Sequence, residues 1–108
     1  MTTAAMFIED ETEFDAILTR EAVMVVDFTA VWCGPCKLVA PMMDRLANEY
    51  GDRAKVFKLD LDANPSMAKR FGISSIPVVL FFKQGELLEK LVGVRAYEDF
   101  SEVLQRAL

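Results

Sequence analysis

Hydrophobic positions along the chain follow two different spacings. Short runs such as "VMVVDF" and "IPVVLFF" are apolar at almost every position, which is typical of strands buried on both faces. Between these runs, apolar residues recur every three or four positions, as they do on one face of an amphipathic helix. The alternation of the two patterns predicts the element order β-α-β-α-β-α-β-β-α and therefore an α/β domain.

The longest helical pattern begins at Cys33 or Gly34 and ends at Tyr50, before the helix-terminating Gly51. Pro41 lies inside this pattern, and because it has no amide hydrogen to donate, we expect a kink there. The apolar side of the predicted helix comprises Leu38, Val39, Met42, Met43, Leu46 and Tyr50.

Residues suited to helix caps and turns stand at the ends of the other predicted elements. Asp10 is followed three positions later by Glu13, which resembles a capping pair at the start of the first helix. Asn64 and Pro65 predict the N-cap and the first position of a short third helix. The segment "KQGE" has the length and the glycine of a hairpin turn between the last two strands.

The chain has 108 residues, which we interpret as a single domain over residues 1–108. Its net charge of -5 argues against a nucleic-acid partner, because binding to phosphates needs clustered Lys and Arg. The first residues lack the basic and apolar parts of a secretory signal, and no apolar run is long enough to cross a bilayer. We therefore expect a monomer without a membrane partner, working in the cytoplasm or in a stroma-like intracellular compartment.

The two cysteines, Cys33 and Cys36, lie three positions apart in a chain without histidine. One chain therefore cannot supply a tetrahedral set of Cys and His zinc ligands, although half of a metal site or an inert buried pair is an alternative interpretation. Cysteines at this spacing lie on one side of a helical turn, close enough to form a reversible disulfide. We favour redox chemistry.

The position of the cysteines at a predicted helix N-terminus suggests different roles for them. Unsatisfied amides and the positive end of the helix dipole favour a thiolate, so Cys33 is the expected nucleophile. Gly34 and Pro35 predict a stiff, exposed tip, from which Cys36 lies one turn further in. Cys36 should then be the less accessible thiol and act as the resolving one.

Asp27 interrupts a strand that is otherwise apolar, a few residues before the cysteines. An apolar environment disfavours the charged carboxylate, so the pKa of Asp27 should be raised toward neutral pH. A carboxyl group of this kind can exchange protons during a reaction at neutral pH. The alternative is a hydrogen-bonded polar residue at a strand end, with a purely structural role.

The segment "VDFTAVWCGPCK" closely resembles the active-site segment of the thioredoxin family, and the match continues through "KLDLDANP", "GISSIP", "FKQGE" and "KLVG". The resemblance covers nearly the whole chain. It implies the thioredoxin fold, a central mixed sheet of four or five strands with helices on both faces, and a cis peptide bond between Ile76 and Pro77. It also implies an apolar docking rim for an extended substrate segment, formed by Trp32, Ile76, Pro77, Gly93 and Val94.

The same resemblance implies a protein-disulfide reductase that carries electrons to disulfide-containing target proteins through Cys33 and Cys36. In the family's pattern, Asp27 assists the deprotonation of Cys36, and Lys58 is the lysine beside that aspartate. No cofactor is expected in this chain, since it has no nucleotide-binding glycine fingerprint. A separate thioredoxin reductase, dependent on NADPH or ferredoxin, would restore the dithiol.

Two other functions remain open from the residues alone. The first is a disulfide oxidase or isomerase, and the second is a non-catalytic binding module on the same fold. Three positions also depart from the family's usual pattern, and they leave the choice of partner undetermined: Thr29, Val31 and Val78.

Overall fold

The computed structural model describes residues 4–108. The strands are β1 (Met6–Ile8), β2 (Val23–Thr29), β3 (Lys55–Asp60), β4 (Val78–Lys83) and β5 (Glu86–Val92). The helices are α1 (Glu11–Arg20), α2 (Cys36–Tyr50), α3 (Pro65–Arg70) and α4 (Tyr97–Ala107), with a short 3-10 turn at Gly51–Arg53. The predicted order of strands and α-helices is confirmed.

The five strands form one sheet in the order β1-β3-β2-β4-β5. β3 runs parallel to both β1 and β2, whereas β4 is antiparallel to β2 and to β5. The sheet is therefore mixed, as expected. β2 lies at its centre, where Asp27 is opposite Lys58 of β3 on one side and Val79 of β4 on the other.

Hydrophobic clusters cover both faces of the sheet. On one face, residues of α2 and α4 pack against strand residues that include Val25, Val56 and Phe81. On the other face, residues of α1 and α3 pack against a set that includes Val26 and Phe28. Because side chains alternate along a strand, the same alternation that directs Val25 toward α2 and α4 also directs Asp27 there.

The start of α2 differs from the prediction. The helix begins at Cys36, because the chain from Ala30 to Pro35 forms turns closed by short-range bonds such as the one from the Cys33 amide to the Ala30 carbonyl. Leu38 is 60% exposed and so does not belong to the apolar side of the helix. The end of α2 at Tyr50 is confirmed, with Gly51 in a left-handed conformation at φ 55°.

The cap and turn predictions have mixed outcomes. The Asp10 side chain accepts a hydrogen bond from the Glu13 amide at 2.9 Å, so the first cap is confirmed. Asn64 occupies the N-cap position of α3, but its side chain makes no capping bond there. Gln84 and Gly85 both have positive φ, 53° and 81°, in the two-residue turn that joins β4 to β5, which confirms the hairpin.

Candidate active site

A disulfide joins Cys33 and Cys36 where the chain passes from β2 into α2. The Cα atoms are 5.3 Å apart, and the Cys36 amide donates a hydrogen bond to the Cys33 sulfur at 3.2 Å. The sulfur of Cys33 therefore lies against an amide of the helix N-terminus. Ala30 and Ile76 pack around the two cysteines, which gives the disulfide apolar surroundings.

The predicted exposed tip is only partly present. Gly34 and Pro35 are exposed, but Cys33 and Cys36 are 3% and 2% exposed. The expected difference in accessibility is therefore absent in the disulfide form, because the bond draws both sulfurs into the same apolar cluster.

The peptide bond between Ile76 and Pro77 is cis, as expected from the resemblance. The Gly93 amide donates a hydrogen bond to the Pro77 carbonyl at 2.8 Å, which brings the segment after β5 alongside the segment before β4. Trp32 and Val94 are 69% and 45% exposed. Pro77 itself is buried, so it lies beneath the expected docking surface and not on its exposed rim.

An open groove lies beside the disulfide on the side of Trp32. It has a volume of about 390 Å³ and is lined by Trp32, Leu61, Ile73, Ser74, Ser75 and Ile76. The indole N–H of Trp32 donates a hydrogen bond to Asp62 Oδ2 at 2.8 Å. This contact holds the exposed ring toward the loop that follows β3.

The carboxyl group of Asp27 is fully buried, and neither of its oxygens has a hydrogen-bond partner within residues 4–108. Burial raises the pKa of Asp27 from 3.8 to about 7, although the nearby Lys58 ammonium acts to lower it. The predicted direction is confirmed. The alternative of a hydrogen-bonded aspartate is therefore wrong for the described part of the chain.

A cavity of about 320 Å³ connects Asp27 with Cys36. Asp27 and Cys36 both line it, together with Lys37 and Lys58. The remaining walls are Phe7, Thr29, Ala30, Val31, Ala40 and Asp60. A proton donor or acceptor at Asp27 therefore shares one mainly apolar space with Cys36.

Lys58 does not make an ion pair with Asp27. Its ammonium lies 3.1 Å from Asp44 Oδ1, and its side chain is only 12% exposed. With so little exposure, Lys58 is not a solvated surface lysine. Its effect on Asp27 is a through-space attraction, which partly offsets the cost of burying the carboxylate.

Two residues of this region, Asp62 and Asp44, were not identified as site residues from the sequence. Asp62 lies thirty positions from Trp32 along the chain, and no local pattern connects them. Asp44 did carry a signal, since it follows Cys36 by two helical turns and so belongs to the same stripe of α2.

The three positions that depart from the family's usual pattern surround the disulfide. Val31 is 79% exposed next to Trp32, Thr29 lines the cavity of Asp27, and Val78 is buried directly after Pro77. Val31 therefore adds an apolar side chain to the surface around the site.

Between positions 4 and 108, no group of three or more His, Cys, Asp or Glu side chains could hold a metal ion. In that part of the chain, no helix has the length and apolar character needed to cross a membrane.

Comparison with known proteins shows the family to which the chain belongs. A thioredoxin of Staphylococcus saprophyticus subsp. saprophyticus is 45% identical over 82% of this chain and 86% of its own, and one of Staphylococcus epidermidis is 43% identical over 91% and 93%. The structure of a mutant thioredoxin from Halobacterium salinarum matches with a TM-score of 0.88 at 28% identity, covering 99% of this chain and 94% of that one, which confirms the expected fold. The family model Thioredoxin matches residues 5–106. The chain therefore belongs to the thioredoxin family of thiol-disulfide oxidoreductases.

Proposed function

We propose that this protein reduces disulfides in target proteins with Cys33 as nucleophile and Cys36 as resolving thiol. The observation that carries the proposal is the disulfide between these two residues at the start of α2. The Cys33 thiolate attacks one sulfur of the target disulfide, forms a mixed disulfide and releases the other target sulfur as a thiolate. The Cys36 thiolate then attacks the Cys33 sulfur and releases the second target thiolate, so that two electrons pass to the target.

The assignment of Cys33 as nucleophile is supported by its position before α2. The Cys36 amide points at the Cys33 sulfur from 3.2 Å. A hydrogen bond to the charged form and the positive end of the helix dipole both stabilise a thiolate. Cys36 lies inside the first turn, so its thiol is suited to attack only after a target is attached to Cys33.

We propose that Asp27 accepts the proton of Cys36 during the resolving step. The two residues line the same cavity, and the pKa of Asp27 near 7 allows its carboxyl group to gain and lose a proton at neutral pH. Lys58 tempers the cost of the charged carboxylate before the proton is transferred.

Substrate docking is proposed for the surface around the cis peptide bond. An extended target segment would pair with the backbone at Ile76 and Pro77 as an added strand. Its side chains would contact Trp32, Gly93 and Val94, of which Trp32 and Val94 are well exposed. The exposed Val31 favours targets with an apolar residue near the disulfide.

The protein requires a thioredoxin reductase to regenerate its dithiol. We propose a flavoprotein that uses NADPH, or alternatively a ferredoxin-dependent enzyme, as the electron donor. The dithiol persists only where reductant is supplied, so we place the protein in the cytoplasm or a stroma-like compartment. We expect it to act as a monomer and single domain, since one chain carries both cysteines, Asp27 and the docking surface.

A trapping experiment tests the assignment of the two thiols. The Cys36→Ser variant should accumulate a mixed disulfide with a model disulfide substrate such as insulin, because the resolving thiol is absent. Non-reducing electrophoresis and mass spectrometry would locate the attached chain on Cys33.

The matched control is Cys33→Ser, which keeps one thiol and the same mass change. We expect it to form little mixed disulfide, since Cys36 lies further into the helix. If Cys33→Ser trapped the target and Cys36→Ser did not, the roles would have to be exchanged.

A further inference from the structure

Beneath α2, the ammonium group of Lys58 has two carboxyl groups near it, those of Asp44 and Asp27. Asp27 of β2 and Lys58 of β3 are register partners and point to the same face of the sheet, so Lys58 is the natural ion-pair partner of Asp27. The Lys58 ammonium instead lies 3.1 Å from Asp44 Oδ1 of α2. Both oxygens of Asp27 remain without a hydrogen-bond donor in the described part of the chain.

Asp44 is itself held in place by the backbone. The oxygen that faces Lys58 also accepts a hydrogen bond from the Ala5 amide at 2.9 Å. Asp44 therefore ties α2 to the segment before β1 and presents a fixed negative charge to Lys58. The Asp44 side chain is 38% exposed, so its charge costs less to desolvate than a charge on Asp27.

We propose that Asp44 is a positioning residue, which holds the Lys58 ammonium beyond hydrogen-bond reach of Asp27 and so keeps the Asp27 carboxyl without an ion-pair partner. The inference rests on the proposed role of Asp27 as the proton acceptor of Cys36. Without Asp44, the Lys58 side chain would turn to the unpaired carboxylate across the register, and Asp27 would be a weaker base that is ionised over a wider range of pH.

The other charged groups near Asp27 do not duplicate this effect. Lys37 of α2 and Asp60 of β3 line the same cavity, and their charges oppose each other. β4 presents the apolar Val79 to Asp27. Lys58 is the charged group that lowers the pKa of Asp27, and Asp44 is its partner.

The test is a carbon-13 NMR titration of the Asp27 carboxyl group in the oxidised protein. Asp44→Asn keeps an oxygen that accepts the Ala5 amide but removes the charge that holds Lys58. We expect the pKa of Asp27 to fall by about one unit or more, the change that an opposite charge at close range produces. Asp52→Asn is the matched control, since it removes the exposed partner of Lys55 and should leave the titration unchanged.

A second background separates the position of Lys58 from the simple loss of a negative charge. In Lys58→Met, the further change Asp44→Asn should shift the pKa of Asp27 only slightly, because no ammonium is left to move. If Asp44→Asn left the titration of Asp27 unchanged, or shifted it equally in the presence and absence of Lys58, the positioning role of Asp44 would be excluded.

A kinetic measurement on Asp27→Asn keeps this inference separate from the proposed function. Slow resolution of the mixed disulfide in Asp27→Asn supports the proton-accepting role, and resolution at the wild-type rate would refute that role. The NMR titration of Asp44→Asn reports on the position of Lys58 in either case.

Discussion

At the scale of single residues, Asp27 links the chemistry of the site to the stability of the fold. Its pKa is about 7 in the folded chain, against 3.8 for the unperturbed side chain. The folded state therefore binds this proton more tightly than the unfolded state does. The resulting stability is fully present below pH 3.8 and is lost as the pH rises through about 7.

Replacing Asp27 with Asn should remove this dependence, since the amide does not titrate. We expect the free energy of unfolding at about pH 8 to exceed that of the unchanged protein by up to roughly 4 kcal/mol, the equivalent of about three pKa units. Urea unfolding at a series of pH values measures this difference in the free energy of unfolding. Asp52→Asn, an exposed change, serves as the control, and parallel pH curves for Asp27→Asn and the unchanged protein would contradict the expectation.

At the scale of elements, α3 is attached through Asn64. The buried Asn64 side chain donates hydrogen bonds to the carbonyls of Glu9 and Asp60, both at 3.1 Å. It therefore fastens the start of α3 to the segment between β1 and α1 and to the end of β3. This arrangement uses the side chain between elements instead of as the predicted helix cap.

Asn64→Ala should lower the free energy of unfolding by about 1–3 kcal/mol, because two partly buried hydrogen bonds to backbone carbonyls are lost. Chemical denaturation followed by circular dichroism measures the change. Ser66→Ala is the matched control in the same helix, as it removes an exposed bond to Glu11 and should cost about 0.5 kcal/mol or less. Equal losses of unfolding free energy in the two variants would show that the hydrogen bonds of Asn64 stabilise the fold no more than the exposed bond of Ser66 does.

Local sequence signals predicted which elements form, but they did not predict where α2 begins or what the Asn64 side chain binds. The capping bond of Asp10 and the hairpin at Gln84 and Gly85 depend on residues within a few positions, so the sequence contains all the partners. The start of α2 at Cys36 depends on the turns around the disulfide, and the role of Asn64 depends on two distant carbonyls. Local patterns do not contain those partners.

At the scale of the whole molecule, one sheet is shared by two hydrophobic clusters. α2 and α4 cover one face, and α1 and α3 cover the other. Because the two clusters share the same strands, loss of packing on one face also weakens the packing on the other face. We expect the chain to unfold as a single cooperative unit.

Phe100→Ala should test this, since Phe100 of α4 is fully buried in the cluster beneath α2 and α4. We expect the free energy of unfolding to fall by about 3–5 kcal/mol. The transitions seen by circular dichroism and by the fluorescence of Trp32, the one tryptophan of the chain, should still coincide.

Leu88→Ala on β5 is the control for loss of an apolar side chain, as Leu88 is 47% exposed and its removal should cost about 1 kcal/mol or less. Separate transitions for the two probes in Phe100→Ala would contradict a single cooperative unit.

The amino-acid sequence by itself determined the order of strands and helices, the redox pair Cys33 and Cys36, and the burial of Asp27, because spacing and local chemistry are read along the chain. The tertiary structure decided which charged groups meet. It placed Lys58 against Asp44, left Asp27 without a hydrogen-bond partner among residues 4–108, and brought Asp27 and Cys36 to the wall of one cavity. Electrostatic pairing depends on distances of a few ångströms between segments far apart in sequence, and only the packing of α2 on the sheet sets those distances.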